Sequence, residues 1–413
     1  MSTINEKEIT ELAEKILRCP ELGYKEFKTK ETIVEYLKSK GFTIENECFE
    51  TAFSVSIGDG KPHIGLIAEL DAIPTLGHPF CNPDDNNAAH ACGHNSQCAV
   101  MCGVMAALKQ EKFDGKVTLF FTPAEEYTDI DYKEKLMAEG KIKYVGGKVN
   151  MLEKGLFDDV DIVYHLHATS ASKYKFSLNS DLCGFVYKRI TFNGKAAHAA
   201  IAPEAGINAL NAYALFNDAI NMLRETFKEE DSIRIHGIIA EGGQTVNTIP
   251  ERVVYECYVR SINSDTLLDV SKKVDDAAKY CAMALGATAT VKTMPGYLPL
   301  VQSREISEVI YEEMCKLVDK DLIKEGSYSM AAGDIGDISV FKPTVQIGYG
   351  GFVGVPHAKN FMVDDPQTTY VLTAEVIFNS VKALLSKPQL IKDIVENFKP
   401  RMSWQQYLDY INQ

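Results

Sequence analysis

The feature that most limits how this chain folds is a pair of short apolar runs with a helical stretch between them. HIGLIAELDAIP and GKVTLFFTPAEE are brief, apolar and end in polar clusters, while SQCAVMCGVMAALKQE between them has the length and apolar spacing of a helix. Strand, helix, strand in that order predicts parallel neighbours joined by a crossover. The expected fold class is therefore α/β, a mixed, mostly parallel sheet with flanking helices. Ligands of such sheets gather beyond the carboxyl ends of the strands. Two acidic clusters fall there: Glu69-Leu70-Asp71 closes the first run and Pro123-Ala124-Glu125-Glu126 the second. Before them, apolar residues recur at helical spacing from Glu6 to Lys40 and stop at Gly41, as one helix or two.

From Leu182 the pattern changes. FVYKRITFNG, NALNAYALFNDAINMLRETF, SIRIHGIIAEGG, VVYECYVRS, LLDVSKKVDDAAKYCAMALG and ATVKTM alternate as β-α-β-β-α-β, the order of a ferredoxin-like α+β unit. After Gly296 a helix around ISEVIYEEMCKLV, a glycine-rich segment and a helix near TYVLTAEVIFNSVKALLS resume the first style. The expected division is 1–181 for the first part of the α/β domain, 182–294 for an inserted domain and 295–413 for the remainder. A chain of 413 residues exceeds what one core usually organises, which agrees with that division.

Composition narrows the function. Hydrophobic residues at 46% and charged residues at 24% are those of an ordinary globular protein. A formal charge of −14 with no basic stripe opposes nucleic-acid binding. The opening MSTINEKEITELAEKI lacks the apolar run and cleavage site of a signal peptide, and no stretch approaches the roughly 18 apolar residues of a membrane span. A cytoplasmic protein without membrane partners is expected. The ten cysteines have no framework spacing, so thiols are expected, and a metal-binding one must be recognised by its neighbours.

The sharpest such neighbourhood is His90-Ala91-Cys92-Gly93-His94-Asn95, directly before the helical stretch. Cys92 and His94 are two apart, so in loop backbone both side chains reach one metal, a soft thiolate beside an imidazole. The plainer reading is a buried thiol beside a core histidine. Adjacent carboxylates at a strand end are costly to desolvate without a cation, although a solvated acidic turn explains either pair alone. In DIVYHLH, alternation puts His165 and His167 on one strand face, as ligand or as structural residue. Taken together these segments point to one cation-rich crevice.

AELDAIP, HACGHN, TPAEE, GKAAHA, GGQTVNTIPERVVYECYVRS, GDIGDIS and PHAKNF occur in the order of the dinuclear-metal amidohydrolase and aminoacylase family, peptidase family M20, subfamily D. The resemblance spans nearly the whole chain. It implies two divalent metal ions per subunit, zinc or manganese, with Cys92, His94, Glu126, His167 and His357 as ligands. It implies Glu125 as the general base acting on a metal-bridging water and Asp71 as the aspartate supporting the site. His198 would stabilise the oxyanion from the partner subunit, and Asn247 and Arg260 would contact the substrate. The inserted domain would be a lid and the dimerisation surface of a homodimer. The substrate would be a small carboxylate-bearing amide, an N-acyl or aminoacyl amino acid or a dipeptide. HACGHN, GDIGDIS and GGKVNML are most similar to the aminobenzoyl-glutamate and β-alanyl-lysine hydrolase branch. Many members carry aspartate and histidine where this chain has Asn95 and Gln97, which would remove a negative charge near the cations. The segment YTDIDYKEKLMAEGKIKYVGG after Glu126 would overhang the pocket or form a solvated helix. Two other classes fit the residues: a thiol hydrolase with Cys92 as nucleophile and a non-catalytic binding protein on the same fold.

Overall fold

A computed structural model describes residues 4–326 and 328–412. The chain divides into two compact units, one of Met1–Asp181, Val301–Ser327 and Gly333–Arg401, the other of Leu182–Leu300, Tyr328–Ala332 and Met402–Gln413.

The first unit is built on an eight-stranded sheet. Its strands run Glu45–Cys48, Ala52–Asp59, Gly115–Thr122, His63–Glu69, Ile162–Ala168, Thr344–Tyr349, Phe176–Leu178 and Ile323–Glu325. The four central strands, from Gly115–Thr122 to Thr344–Tyr349, are mutually parallel. Antiparallel pairs flank them on both sides. A parallel strand covered on both faces reads as a continuous apolar run, and every residue of His63–Glu69 is buried. The helix His94–Leu108 is apolar nearly all round, as a helix inside a core must be, and all its residues but Ala106 are buried. Its Gly103 lets the helix Glu6–Leu17 approach, since a Cβ there would lie 2.5 Å from Ile9 Cδ1.

The helical opening is two helices, Glu6–Leu17 and Phe27–Ser39. Pro20 cannot continue a helix, and Tyr24 takes a left-handed φ of 62° between them. Asn5 caps the first by accepting the Glu8 N–H at 3.3 Å.

The second unit is a four-stranded antiparallel sheet ordered Arg234–Glu241, Arg252–Ser261, Gly184–Asn193 and Thr288–Pro295. The helices Ala209–Leu223 and Ser264–Ala284 pack together and against these strands. In chain order the strands lie 2-3-1-4, the ferredoxin-like arrangement. The unit runs on to Leu300 and takes in Tyr328–Ala332, because the Cys183 N–H donates to Ser329 O and Ala331 O, each at 3.0 Å. Among the described residues no helix is long and apolar enough to cross a membrane.

Candidate metal centre

Parallel register brings three strand ends together in the first unit. Glu69 stands opposite Thr122, and Ile67 opposite His165, so Glu69, the turn after Thr122 and His167 share the carboxyl edge of the sheet. The helix beginning at His94 meets that edge through Gly93. This residue has φ 82°, and a Cβ on it would lie 2.7 Å from Ala168 Cβ. Glycine alone suits both demands. Cys92 Sγ is thereby brought 3.5 Å from His167 Nε2. From the far end of the chain His357 joins, itself at φ 69° and held by its N–H to Ala91 O at 2.7 Å. Its Nε2 lies 3.3 Å from Glu126 Oε1.

The ring orientations follow from what each Nδ1 does. His94 Nδ1 donates to Asp71 O at 2.8 Å and His167 Nδ1 donates to Ala168 O at 2.8 Å. A carbonyl only accepts, so each Nδ1 carries a proton and each Nε2 is the nitrogen turned toward the other donors. Three groups of donor atoms result, each within 4.8 Å: Cys92 with His94 and His167, Cys92 with Glu126 and His357, and His94 with Glu69 and Glu125. Cys92 and His94 are each shared. His94 Nε2 and Glu126 Oε1 are buried and make no well-aligned hydrogen bond; their nearest opposite charges are Glu69 Oε2 at 3.2 Å and His357 Nε2 at 3.3 Å. Thiol, imidazole and carboxylate together are a donor set for a divalent transition metal. These residues fit such an ion.

Electrostatics agree with a site that needs positive charge. Burial, then Glu69 and Glu126, push the Glu125 carboxyl well above the usual carboxylate range. Burial disfavours a charged His94, but Glu69, Cys92 and Asp71 outweigh it and raise the imidazole well above its ordinary value. At His167 burial prevails, and the imidazole is pulled down to about 4.

Of the two histidines of DIVYHLH, His167 joins the donors and His165 does not. His165 Nε2 lies 2.8 Å from Glu69 Oε1 and its Nδ1 2.9 Å from Gln346 Oε1. Glu69 also receives Lys148 Nζ at 2.6 Å and Gln97 Nε2 at 3.1 Å. Lys148 in turn pairs with Asp334, both fully buried. The GDIGDIS segment is thus more than a turn: it supplies a buried counter-charge. Lys148 escapes a reading of the sequence because a lone lysine in a polar stretch carries no local sign of burial. The Asn95 amide donates to Ala13 O at 3.2 Å. Asp71 sits beneath, its Oδ2 accepting the Glu126 N–H at 2.9 Å.

His198, Asn247 and Arg260 belong to the second unit. His198 is exposed, and its Nε2 is 3.1 Å from the Asn247 amide nitrogen. Its Nδ1 accepts the Ile201 N–H at 3.1 Å. Arg260 donates to Met330 O at 2.9 Å, and its guanidinium carbon lies 5.6 Å from the centre of the Phe185 ring and 5.3 Å from that of Tyr258.

A two-unit α/β protein that gathers a thiol, imidazoles and carboxylates at the carboxyl edge of a parallel sheet has the make-up of a metal-binding hydrolase. Residues 65–381 match the model of peptidase family M20/M25/M40, and the chain belongs to that family. It is 25% identical to the Xaa-Arg dipeptidase of Homo sapiens over 84% of this chain and 76% of the relative. It is 27% identical to the N-acetyl-L-cysteine deacetylase of Bacillus subtilis over 75% of this chain and 72% of that one. In structure it is similar to a dinuclear metal binding peptidase of the M20 family from Bacillus subtilis, with a TM-score of 0.71 and 18% identity over 92% of this chain and 98% of the other.

Proposed function

We propose that this chain is a dinuclear-metal amidohydrolase that cleaves the amide bond of an N-acyl or aminoacyl amino acid or a dipeptide. The relatives named as dipeptidase, p-aminobenzoyl-glutamate hydrolase, N-acetyl-L-cysteine deacetylase and hippurate hydrolase support that substrate class, since each name describes such an amide or dipeptide. The observation that carries the reading is the shared donor set: Cys92 and His94 each belong to two groups of donor atoms that lie within 4.8 Å of one another. In this reading Cys92, His94, Glu126, His167 and His357 hold two divalent cations, zinc or manganese. Such a pair, when bound, supplies Lewis-acid polarisation of a carbonyl and lowers the pKa of a water.

The chain's own residues then divide the work. Glu125 takes a proton from the attacking water and passes it to the departing amine nitrogen. A carboxylate suits both transfers because its proton affinity is raised by burial and by Glu69 and Glu126. Asp71 holds the Glu126 N–H and lies beside His94, fixing ligand orientation. His198 donates to the developing oxyanion from the partner subunit of a homodimer, Asn247 orients it, and Arg260 meets the substrate carboxylate. The second unit thereby acts as lid and dimerisation domain. The protein works in the cytoplasm.

A thiol mechanism has one observation in its favour, the 3.5 Å approach of Cys92 Sγ and His167 Nε2. An activated thiolate–imidazolium pair needs the thiol's pKa lowered. Here burial and then Glu126 push the Cys92 thiol well up, while His167 is pulled down to about 4. The deciding experiment is chelation, with amine release followed on dipeptides, N-acetyl amino acids and aminobenzoyl-glutamate. Activity lost to a chelator and restored by zinc or manganese is the expected result. Full activity in the chelator would sink the metal reading.

A further inference from the structure

The turn that carries Glu125 and Glu126 is held by charged side chains from outside every motif described so far. Ala124 has φ 51°, a left-handed backbone that an L side chain avoids and that persists only where its surroundings impose it. Its N–H is taken by Glu26 Oε1 at 2.9 Å. Two residues on, Glu126 O accepts Lys133 Nζ at 2.6 Å, and Glu126 N donates to Asp71 at 2.9 Å. Glu26 and Lys133 are both fully buried. Glu26 comes from the start of the second helix, where its other oxygen accepts Thr51 Oγ1 at 2.6 Å. Lys133 comes from the helix Ile130–Ala138, within the charged stretch after the turn.

A buried lysine and a buried glutamate that both hold main-chain atoms of one turn are costly unless the conformation they impose matters. What it achieves is visible in the donor groups: Glu126 falls with Cys92 and His357, and its neighbour Glu125 with Glu69 and His94. In a regular strand consecutive side chains point to opposite faces, whereas here both carboxylates serve one cluster from different sides. We propose that Glu26 and Lys133 are positioning residues that lock Ala124 in its left-handed conformation, so that Glu125 reaches the substrate side while Glu126 reaches the cations. This deepens the hydrolytic reading and rests on it. It also explains the charged stretch after Glu126, one of whose helices reaches inward rather than overhanging a pocket.

The test pairs removal of an anchor with relief of the strain it opposes. Glu26→Leu and Lys133→Met are made singly, and each is then combined with Ala124→Gly, since glycine adopts positive φ without cost. Manganese binding is measured by calorimetry alongside kcat and KM, and circular dichroism checks folding. Each anchor variant is expected to lower kcat by about 10–100-fold and manganese affinity by about tenfold, with KM within about threefold. Ala124→Gly is expected to recover several-fold of both losses. Folded anchor variants with unchanged kcat and manganese binding would overturn the proposal, as would the absence of any recovery with glycine. If the apolar variants do not fold, Glu26→Gln decides, because it keeps an oxygen for Ala124 N–H. Retention of kcat within about fivefold supports a main-chain anchor, and any larger loss overturns it. A wild-type chain that binds manganese yet cleaves none of these amides would defeat the hydrolytic reading, while the manganese arm would still judge the anchors.

Discussion

The donor cluster of the first unit and the His198–Asn247 loop of the second are built in opposite ways. Around Cys92 the donors His94 and Glu126 are buried and the rings of His94 and His167 are each fixed by a carbonyl on the far nitrogen, while His357 closes the cluster from an exposed loop. His198 is exposed, and its ring is bonded to its own loop and to Asn247. A largely buried cluster with fixed rings suits the binding of cations and the transfer of protons, where an error of an ångström is expensive. An exposed histidine on a loop suits a group that must meet a substrate arriving from solvent. The two regions should therefore respond differently to substitution, one through chemistry and cation binding together, the other through chemistry alone.

The largest expected effect is at Glu125. Glu125→Gln keeps size and burial but removes the proposed proton acceptor, and kcat is expected to fall by about 10³-fold or more. Because the substitution also removes a buried carboxyl that Glu69 and Glu126 repel, the melting temperature should hold or rise. Steady-state amine release and a melting curve check both halves. A variant that turned over normally would break the proposed division between Glu125 and Glu126.

His198→Ala comes next. If His198 is the oxyanion donor proposed above, its loss lowers kcat by about 10²-fold, with manganese affinity and melting temperature unchanged because the side chain is exposed. A fall in manganese binding as large as the fall in kcat would erase the contrast between the regions.

Gly93→Ala probes the cluster through its backbone. The added Cβ meets Ala168 Cβ at 2.7 Å and the residue must keep φ 82°. The expected cost is about 1–3 kcal/mol of stability, with weaker cation binding, since Cys92 and His94 flank the position. Denaturant unfolding and calorimetry measure the two. Unaltered stability would mean that the helix start relaxes freely, and the cluster would be less rigid than its contacts imply.

The same contrast explains what could be read in the sequence. The fold class was legible because parallel strands buried on both faces write continuous apolar runs, and because the β-α-β-β-α-β alternation of the second unit leaves its period in the chain. That Cys92, His94, Glu126, His167 and His357 come together could be expected only from ordered motifs: no spacing links His357 to Glu126, which the fold brings to 3.3 Å. The anchors were not legible. Glu26, Lys133 and Lys148 are charged residues with no local sign of burial in the sequence, and their burial is a property of tertiary packing alone. The opening helical region left one helix or two open, and Pro20 and the left-handed Tyr24 decide for two.

The smallest effect sharpens the account of those anchors. Burial, then the nearby Asp71 carboxylate, push the Glu26 carboxyl up to about 8. Its folded value lies above its unfolded one, so between the two the folded chain holds a proton that the unfolded chain has released. The contribution of this group to stability is fully present below the ordinary glutamate range and is lost as pH rises through about 8. Glu26→Gln removes that titration while keeping an acceptor for Ala124 N–H. In metal-free protein the wild-type melting temperature is therefore expected to fall between pH 5 and pH 9 by a few degrees more than that of Glu26→Gln, roughly what a fraction of a kcal/mol to a few kcal/mol produces in a chain of this size. Parallel melting curves over the whole range would mean that Glu26 stays charged in the folded chain. It would then hold the turn as an ionised anchor, with Lys133 as its distant counter-charge.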